Sequence, residues 1–213
     1  MTNLTNKIIS ISPQKRRNNR LTIQLESGDV FGISEDVFLS TPLTVGQSLN
    51  PKEIQEILSN ESVIKIKNLI LNLLSYRQRS CAELMRRMKE KGYDENVISP
   101  ILVEFEEKGY VNDTEFAKMF AKHCICNKQM GRKLVLNEFY HHRIPNQILK
   151  PILDKLYDEN PPESLIQGIT NKRLKNKDKT QNEKNKLVNQ LMRKGFSWGD
   201  MESIINKIDW QNK

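Results

Sequence analysis

Apolar residues recur at helical spacing along most of this 213-residue chain. The pattern is clearest between residues 80 and 113, where Ser80 and Glu83 have the spacing of a capping box and Gly92 stands where a helix would end. Two apolar stripes flank that glycine: Leu84, Met85 and Met88 before it, and Val97, Ile98, Ile101, Leu102 and Phe105 after it. The stretch predicts two short helices. Two such helices cannot enclose an apolar face alone, so we expect further helices to stack on them.

The same pattern returns twice further along the chain. Pro100-Ile101-Leu102 recurs as Pro151-Ile152-Leu153, about 51 residues later, and Gly92-Tyr93 recurs as Gly195-Phe196, about 103 residues later. A fixed step of this length is typical of a repeat array, in which each unit buries its apolar face against the next. The predicted helices span residues 63–76, 81–91 and 95–108 in the first unit, 113–127, 131–142 and 146–158 in the second, and 163–176, 181–194 and 198–208 in the third.

The first 60 residues follow a different pattern. Residues 20–26 (RLTIQLE) alternate between apolar and polar, Ser27-Gly28-Asp29 forms a turn signal, and residues 7–12 and 30–33 are also extended in character. These segments predict a three-stranded antiparallel sheet. Asn50-Pro51 begins a short helix that ends near Ser59. We expect the sheet to pack on that helix and on the first helical unit, because so small a sheet needs a cover.

The predicted fold class is therefore mainly α, a tandem array of three three-helix repeats with a small strand-rich N-terminal extension. The predicted domains are residues 1–60, a small sheet plus a short helix, followed by repeats at 61–110, 111–160 and 161–213.

Charge favours an acidic or polyanionic partner. The net charge is +8, and residues 161–213 contain 11 basic and 6 acidic residues, whereas residues 51–110 contain 10 of each. No apolar run approaches the roughly 18 residues of a membrane span, and the first residues lack the apolar segment of a secretion signal. Three unpatterned cysteines indicate a reducing compartment. We therefore expect a cytoplasmic protein without a membrane partner.

The sequence contains no motif that predicts catalysis or metal binding. The chain has no phosphate-binding glycine loop, no HExxH and no GxSxG motif, so we predict a non-enzyme without a cofactor. Cys124 and Cys126 would point about 200° apart on a helix, and Cys124 lies in an apolar stripe, which argues against zinc even with His123, His141 and His142 in the sequence. Cys81 opens a helix, but the sequence places no His or Asp beside it, so we expect an inert thiol.

Four motifs, in this order, carry a family resemblance. They are YRQRS at residues 76–80, AEL at 82–84, KGY at 91–93 and GYVNDTEFA at 109–117. The set resembles the RecX family of regulatory proteins, and the resemblance covers about residues 63–208. The N-terminal extension is similar to that of longer members from Gram-positive bacteria. The chain departs from the family at Arg143, which stands at a usual glycine, and in its lysine-rich third repeat.

The resemblance implies a non-catalytic regulator that binds the RecA recombinase filament and restrains its strand exchange, ATPase and coprotease activities. Basic residues near helix starts and between repeats are the candidate contacts with a groove of acidic protein and DNA phosphate. These partner-binding candidates are Arg77, Arg79, Arg86, Arg87, Lys128, Arg132, Lys133, Lys172, Arg173 and Lys175. On the predicted helix 81–91, Arg86 and Arg87 lie off the apolar stripe and should project outward.

Two other hypotheses stay open at this point. Three-helix units resemble helix-turn-helix modules, and a net charge of +8 suffices for nonspecific binding to single- or double-stranded DNA without RecA. A protein scaffold unconnected with recombination rests on fold alone. In each case we expect a monomer.

Overall fold

The computed structural model describes residues 6–14 and 19–211, and it confirms a mainly helical fold with a small N-terminal sheet. The strands are β1 (Ile8–Pro13), β2 (Arg20–Leu25) and β3 (Val30–Ser34). The helices are α1 (Glu35–Ser40), α2 (Pro51–Tyr76), α3 (Cys81–Glu90), α4 (Glu95–Glu107), α5 (Asp113–Lys122), α6 (Arg132–Phe139), α7 (Asn146–Glu159), α8 (Pro162–Leu174), α9 (Gln181–Arg193) and α10 (Trp198–Asn206). A π-helical turn (His123–Asn127) continues α5, and a 3-10 turn (Tyr140–His142) continues α6.

The N-terminal sheet has the predicted antiparallel order β1-β2-β3. Alternation buries one face: Ile23, Leu25 and Ile33 are almost fully buried. This face joins a core with Ile57 of α2, and Ile54 of the same helix packs at its margin. The expectation that the sheet packs on the helix following Asn50 is thus confirmed.

One predicted break is wrong: α2 is a single helix from Pro51 to Tyr76, where the sequence suggested an end near Ser59 and a new start at residue 63. The polar residues 59–62 look like a loop in the sequence. Glu61 is nevertheless buried, since its carboxylate accepts hydrogen bonds from Arg20 Nη1 at 2.5 Å and from the backbone N–H of Ser34 at 2.6 Å. The sheet therefore supplies the partners that allow this polar turn to remain helical.

The three helical units end their second helices in the same way. Gly92, Arg143 and Gly195 have φ angles of 88°, 51° and 86°, and these positions are separated by about the predicted step. A left-handed residue satisfies the last carbonyl groups of a helix, and glycine adopts this conformation without steric strain. Arg143 carries a side chain in it, at a typical penalty of about 1–2 kcal/mol. The repeat is therefore visible in backbone conformation even where its glycine is absent.

The prolines show the same equivalence. Pro100 and Pro151 each occupy the sixth residue of their helices, α4 and α7, where the missing N–H removes one backbone hydrogen bond. When the π-helical turn is counted with α5 and the 3-10 turn with α6, the remaining helix ends lie within two residues of the predicted ones. The tandem three-helix repeat is thus confirmed.

The chain divides into two compact units, Met1–Arg77 with Met88–Glu104, and Gln78–Arg87 with Phe105–Lys213. The second contains one apolar core shared by helices α5 to α10, with Phe116, Val135, Leu153 and Ile205 among its buried members. The boundaries of the four predicted domains stay a prediction. Within the described residues, no helix combines the length and apolar character needed to cross a bilayer.

A glycine pair fixes the close approach between the second and third repeats. A Cβ atom on Gly131 would lie 2.5 Å from the carbonyl carbon of Gly195, and one on Gly195 would lie 2.5 Å from Leu134 Cβ. The N–H of Gly131 also donates to the carbonyl of Lys194 at 2.7 Å. Both positions therefore need glycine because backbone meets backbone here. This contact brings the start of α6 beside the end of α9.

Candidate partner-binding surface

The ten candidate cations differ in exposure. Arg87 and Arg173 are half-buried, and Arg79 is buried, with 8% of its surface exposed. The other seven are exposed: Arg77, Arg86, Lys128, Arg132, Lys133, Lys172 and Lys175. The sequence pattern therefore identified mostly surface cations, but it grouped them with an arginine that belongs to the interior.

The buried arginine forms an ion pair at the start of α3. Arg79 Nη1 bonds the carboxylate of Glu83, and Arg87 Nε bonds the same oxygen at 3.1 Å. Ser80 caps the helix by accepting the N–H of Glu83 at 3.2 Å. The side chains of Arg79 and Glu83 are 9% and 4% exposed. Arg79 thus serves the fold at this position, and Arg87, though 40% exposed, is held by the same carboxylate.

His142 approaches this cap from the second repeat, a contact that sequence reasoning missed. Its Nδ1 lies 2.9 Å from Ser80 Oγ, and its ring packs 4.6 Å from Phe116 and 4.9 Å from Phe120, measured between centroids. Ser80 is fully buried, so this serine–histidine pair lies away from any substrate. The sequence signal was the departure from the family pattern at Arg143, which directly follows His142.

Cys81 has acidic neighbours that the sequence analysis did not place there. Its backbone N–H donates at 2.9 Å to Oδ1 of Asp113, the first residue of α5, and Glu106 also lies near the thiol. Burial raises the pKa of the Cys81 thiol far above its ordinary range, and the charges of Asp113 and Glu106 raise it further. Burial likewise raises the pKa of Asp113. The expectation of no nearby Asp is wrong, but these neighbours disfavour a thiolate.

These three residues also form the one group of potential metal ligands in the described part of the chain, with ligand atoms within 4.8 Å of one another. Hydrogen bonds between them explain the arrangement without an ion. Of the residues considered for zinc, Cys124 is fully buried in the apolar core, as its stripe predicted.

The second repeat presents its cations around the start of α6. Arg132 pairs with Asp154 of α7, and its guanidinium lies 5.8 Å from the centre of the Tyr157 ring. Lys128 and Lys133 are exposed, and no carboxylate among the described residues lies within ion-pair distance of either. Two of the three cations are therefore available to an external anion.

The third repeat gathers its cations around Glu183, the third residue of α9. Arg173 Nη2, Lys177 Nζ and Lys186 Nζ lie 3.1, 3.3 and 3.1 Å from its carboxylate oxygens. The hydrogen bond from Lys186, followed by the contact with Lys177, holds the pKa of Glu183 below its ordinary value. The carboxylate of Glu183 thus forms ion pairs with three cations.

A surface opening of about 430 Å³, which we call the cationic recess, lies beside this cluster. Its lining residues are Gln129, Ile169, Lys172, Arg173, Lys177, Gln190 and Lys194. Burial lowers the pKa of Lys194, and the positive charge of Lys172 lowers it further. Gln129 and Lys194 were absent from the predicted contacts. The recess brings together cations from α8 and the end of α9, and we find no acidic residue in its lining.

Comparison with known proteins agrees with the motifs. Residues 67–105 match the family model described as RecX, first three-helix domain. The chain is 27% identical to the Regulatory protein RecX of Oceanobacillus iheyensis over 95% of its own length and 77% of that protein. It is 28% identical to the Regulatory protein RecX of Bacillus subtilis over 96% of its own length and 78% of that protein. A crystal structure of a regulatory protein RecX matches with a TM-score of 0.67 and 24% identity, over 94% of this chain and 99% of that one, which supports the fold.

Proposed function

Because this chain belongs to the RecX family of regulatory proteins, we propose that it binds filaments of the RecA recombinase and restrains their strand exchange, ATPase and coprotease activities. The protein would act in homologous recombination and the SOS response by occupying the filament, without catalysing a reaction itself. The similarity to proteins named Regulatory protein RecX over some 95% of the chain carries this proposal. We place it in the cytoplasm, where RecA filaments form, as a monomer.

We assign filament contact to the exposed candidate cations, not to the buried one. Arg86 lies on the exposed side of α3, and Arg77 is exposed just after α2. Lys128, Lys133 and Lys175 are exposed cations of the second and third repeats. Exposed cations favour encounter with an acidic or nucleic-acid surface and set its orientation. Arg79 is left out of the contact set because its charge is already matched inside the protein.

The test is inhibition of RecA-mediated strand exchange by a variant with Arg77→Glu and Arg86→Glu. We expect the concentration for half-inhibition to rise at least about tenfold, since each reversal replaces an attraction by a repulsion at the interface. A control with Lys52→Glu and Lys150→Glu changes the net charge equally at two exposed lysines outside the candidate set. It should inhibit like the wild type.

Two results would count against the proposal, and they affect different parts of it. A folded Arg77/Arg86 variant with unchanged inhibition removes the site assignment. A wild-type protein that neither co-sediments with RecA filaments nor alters their ATP hydrolysis removes the function.

Direct binding to DNA without RecA is the second candidate function. The cationic recess favours it, because cations gathered without an acidic lining residue suit phosphate groups. Fluorescence anisotropy with labelled single- and double-stranded DNA tests it. Micromolar or tighter binding that weakens steeply as salt rises would support this function, and no binding at physiological salt would exclude it.

A further inference from the structure

Cationic and amide side chains make up most of the lining of the cationic recess. Four of its seven lining residues are cationic, two are amides, and Ile169 is the single apolar member. Its carboxylate neighbour, Glu183, stands behind Arg173 and Lys177 and pairs with both. Among the lining cations, Glu183 therefore neutralises part of the charge of Arg173 and Lys177 only.

Lys172 and Lys194 hold the part of this charge that is not neutralised. Among the described residues, neither has a carboxylate within ion-pair distance. Lys194 Nζ donates to the backbone carbonyl of Lys128 at 2.6 Å, which uses one of its three protons and fixes its position. Lys172 lines the same recess, and burial lowers the pKa of this ammonium group, with the positive charge of Lys172 lowering it further. The two lysines therefore repel each other in a recess that could take an anion.

Of the other donors, Arg173 is held in place by hydrogen bonds before any ligand arrives. Arg173 Nη1 donates to Gln190 Oε1 at 2.7 Å and Nη2 to Glu183 Oε2 at 3.1 Å, while its buried Nε–H has no partner in the described structure. Gln129 has a left-handed backbone with φ of 51°, and its Nε2 lies against Gly168, where an added Cβ would be 3.4 Å away. Donors fixed in this way lose little entropy on binding.

We propose that the cationic recess is a phosphate-binding site, with Lys172 and Lys194 as the main charged ligands and Arg173 and Gln129 as further donors. A phosphate oxyanion supplies the acceptors that these groups lack and relieves the lysine repulsion. The phosphate belongs either to a nucleic-acid backbone or to a free phosphate compound. The site deepens the proposed function by naming the ligand of one part of the cationic surface, but it rests on the geometry of the recess and can fail separately.

Thermal unfolding with inorganic pyrophosphate, at constant ionic strength in sodium chloride, tests the site. Wild-type Tm should rise with pyrophosphate concentration, because a ligand that binds the folded state stabilises it. Lys172→Gln should raise Tm in phosphate-free buffer by removing the repulsion, and should weaken pyrophosphate binding at least about tenfold. Lys150→Gln, at an exposed position of α7, is the matched control and should behave as wild type in both respects.

Two outcomes overturn the site: a Tm that does not respond to pyrophosphate in the wild type, or an equal response in wild type and Lys172→Gln. NMR titration of the lysine side chains gives an independent readout. Pyrophosphate should raise the pKa of Lys194 in the wild type, because the bound anion favours its charged form. An unchanged Lys194 titration contradicts the site even if Tm rises.

The source of the phosphate is tested with fluorescein-labelled oligo(dT). If the nucleic-acid backbone is the ligand, Lys172→Gln weakens oligo(dT) binding at least about tenfold and pyrophosphate competes with the DNA. If a free phosphate compound is the ligand, oligo(dT) binding is unaffected by the substitution while the pyrophosphate response is lost. Inhibition of RecA by the same variant is measured in parallel, so loss of the phosphate response with intact inhibition leaves the proposed function standing.

Discussion

The first and third repeats each place a glutamate at the third position of their second helix, and the two glutamates have opposite surroundings. Glu83 follows the cap Ser80, is 4% exposed, and joins Arg79 inside the protein. Glu183 follows the cap Thr180, is 14% exposed, and is contacted by one arginine and two lysines from the surface side. An acid in the first turn of a helix thus forms a buried ion pair in one repeat and pairs with exposed lysines in the other.

The difference teaches how a repeat can keep its fold while changing its role. In the first repeat Arg79 is buried and forms an ion pair with Glu83, so it does not face a partner. In the third, the glutamate neutralises only part of a larger set of cations, and Lys172 and Lys194 are left with the excess charge. A cation is therefore available to an external anion only where the glutamate in the first turn of the helix does not already neutralise it.

The largest expected effect is loss of the buried carboxylate. Glu83→Ala removes the buried carboxylate that both Arg79 Nη1 and Arg87 Nε contact, so we expect the free energy of unfolding to fall by about 3–5 kcal/mol. Equilibrium urea denaturation, with the m-value checked for constancy, measures it. A loss below about 1 kcal/mol would show that the ion pair is solvated, and it would remove the contrast between the two repeats.

Removing the arginine that pairs with each glutamate should lower the free energy of unfolding by a smaller amount, and by different amounts in the two repeats. Arg79→Ala should destabilise by about 2 kcal/mol, because Glu83 keeps Arg87 but loses a charge-assisted hydrogen bond in a buried place. Arg173→Ala should destabilise by about 1 kcal/mol or less, since two lysines still surround Glu183 near solvent. Both values come from the same denaturation experiment. Equal losses would mean that exposure does not separate these pairs.

The smallest effect is the acid dependence of stability that comes from Glu183. Its pKa is lowered in the folded state by Lys186 and Lys177, so its contribution is present above the ordinary value of 4.5 and is lost as pH falls through the folded pKa. Glu183→Gln should therefore flatten the loss of Tm below pH 4.5 and leave Tm near pH 7 slightly reduced. A wild-type slope in the variant would contradict the assignment.

A second acid with a shifted pKa does not obscure this comparison. The pKa of Asp113 is raised by burial, so its contribution has the opposite sign: it is present at low pH and is lost as pH rises through the folded pKa. Because Asp113 is the same in both proteins, subtracting the variant curve from the wild-type curve isolates Glu183.

The repeat, the caps and most helix ends could be predicted from the sequence because each depends on residues close in the chain. Glu83 and Glu183 follow their caps at the expected distance, and Gly92 and Gly195 end helices as their positions indicated. The continuity of α2 could not be predicted, because the partners of Glu61 come from a sheet far away in sequence.

The candidate site was predicted only in part for a similar reason. Arg79 precedes a helix in a polar stretch, which indicates an exposed residue, and its burial depends on tertiary packing. Gln129 and Lys194 meet at the recess although 65 positions separate them, and nothing local to either residue indicates this. The family motifs located the first repeat well, whereas the lysine-rich third repeat departs from them, and there the structure alone defines the recess.

The contact of Gly131 with Gly195 makes the last 50 or so residues something other than a detachable module. A chain ending near residue 160 would lose the carbonyl that accepts the Gly131 N–H, together with the half of the shared core supplied by α8 to α10. Such a truncated chain would expose the apolar side of α5 to α7 that α8 to α10 normally cover, and it would be open to proteolysis there. The core of the second repeat therefore becomes fully covered only after the helices of the third repeat have been synthesised.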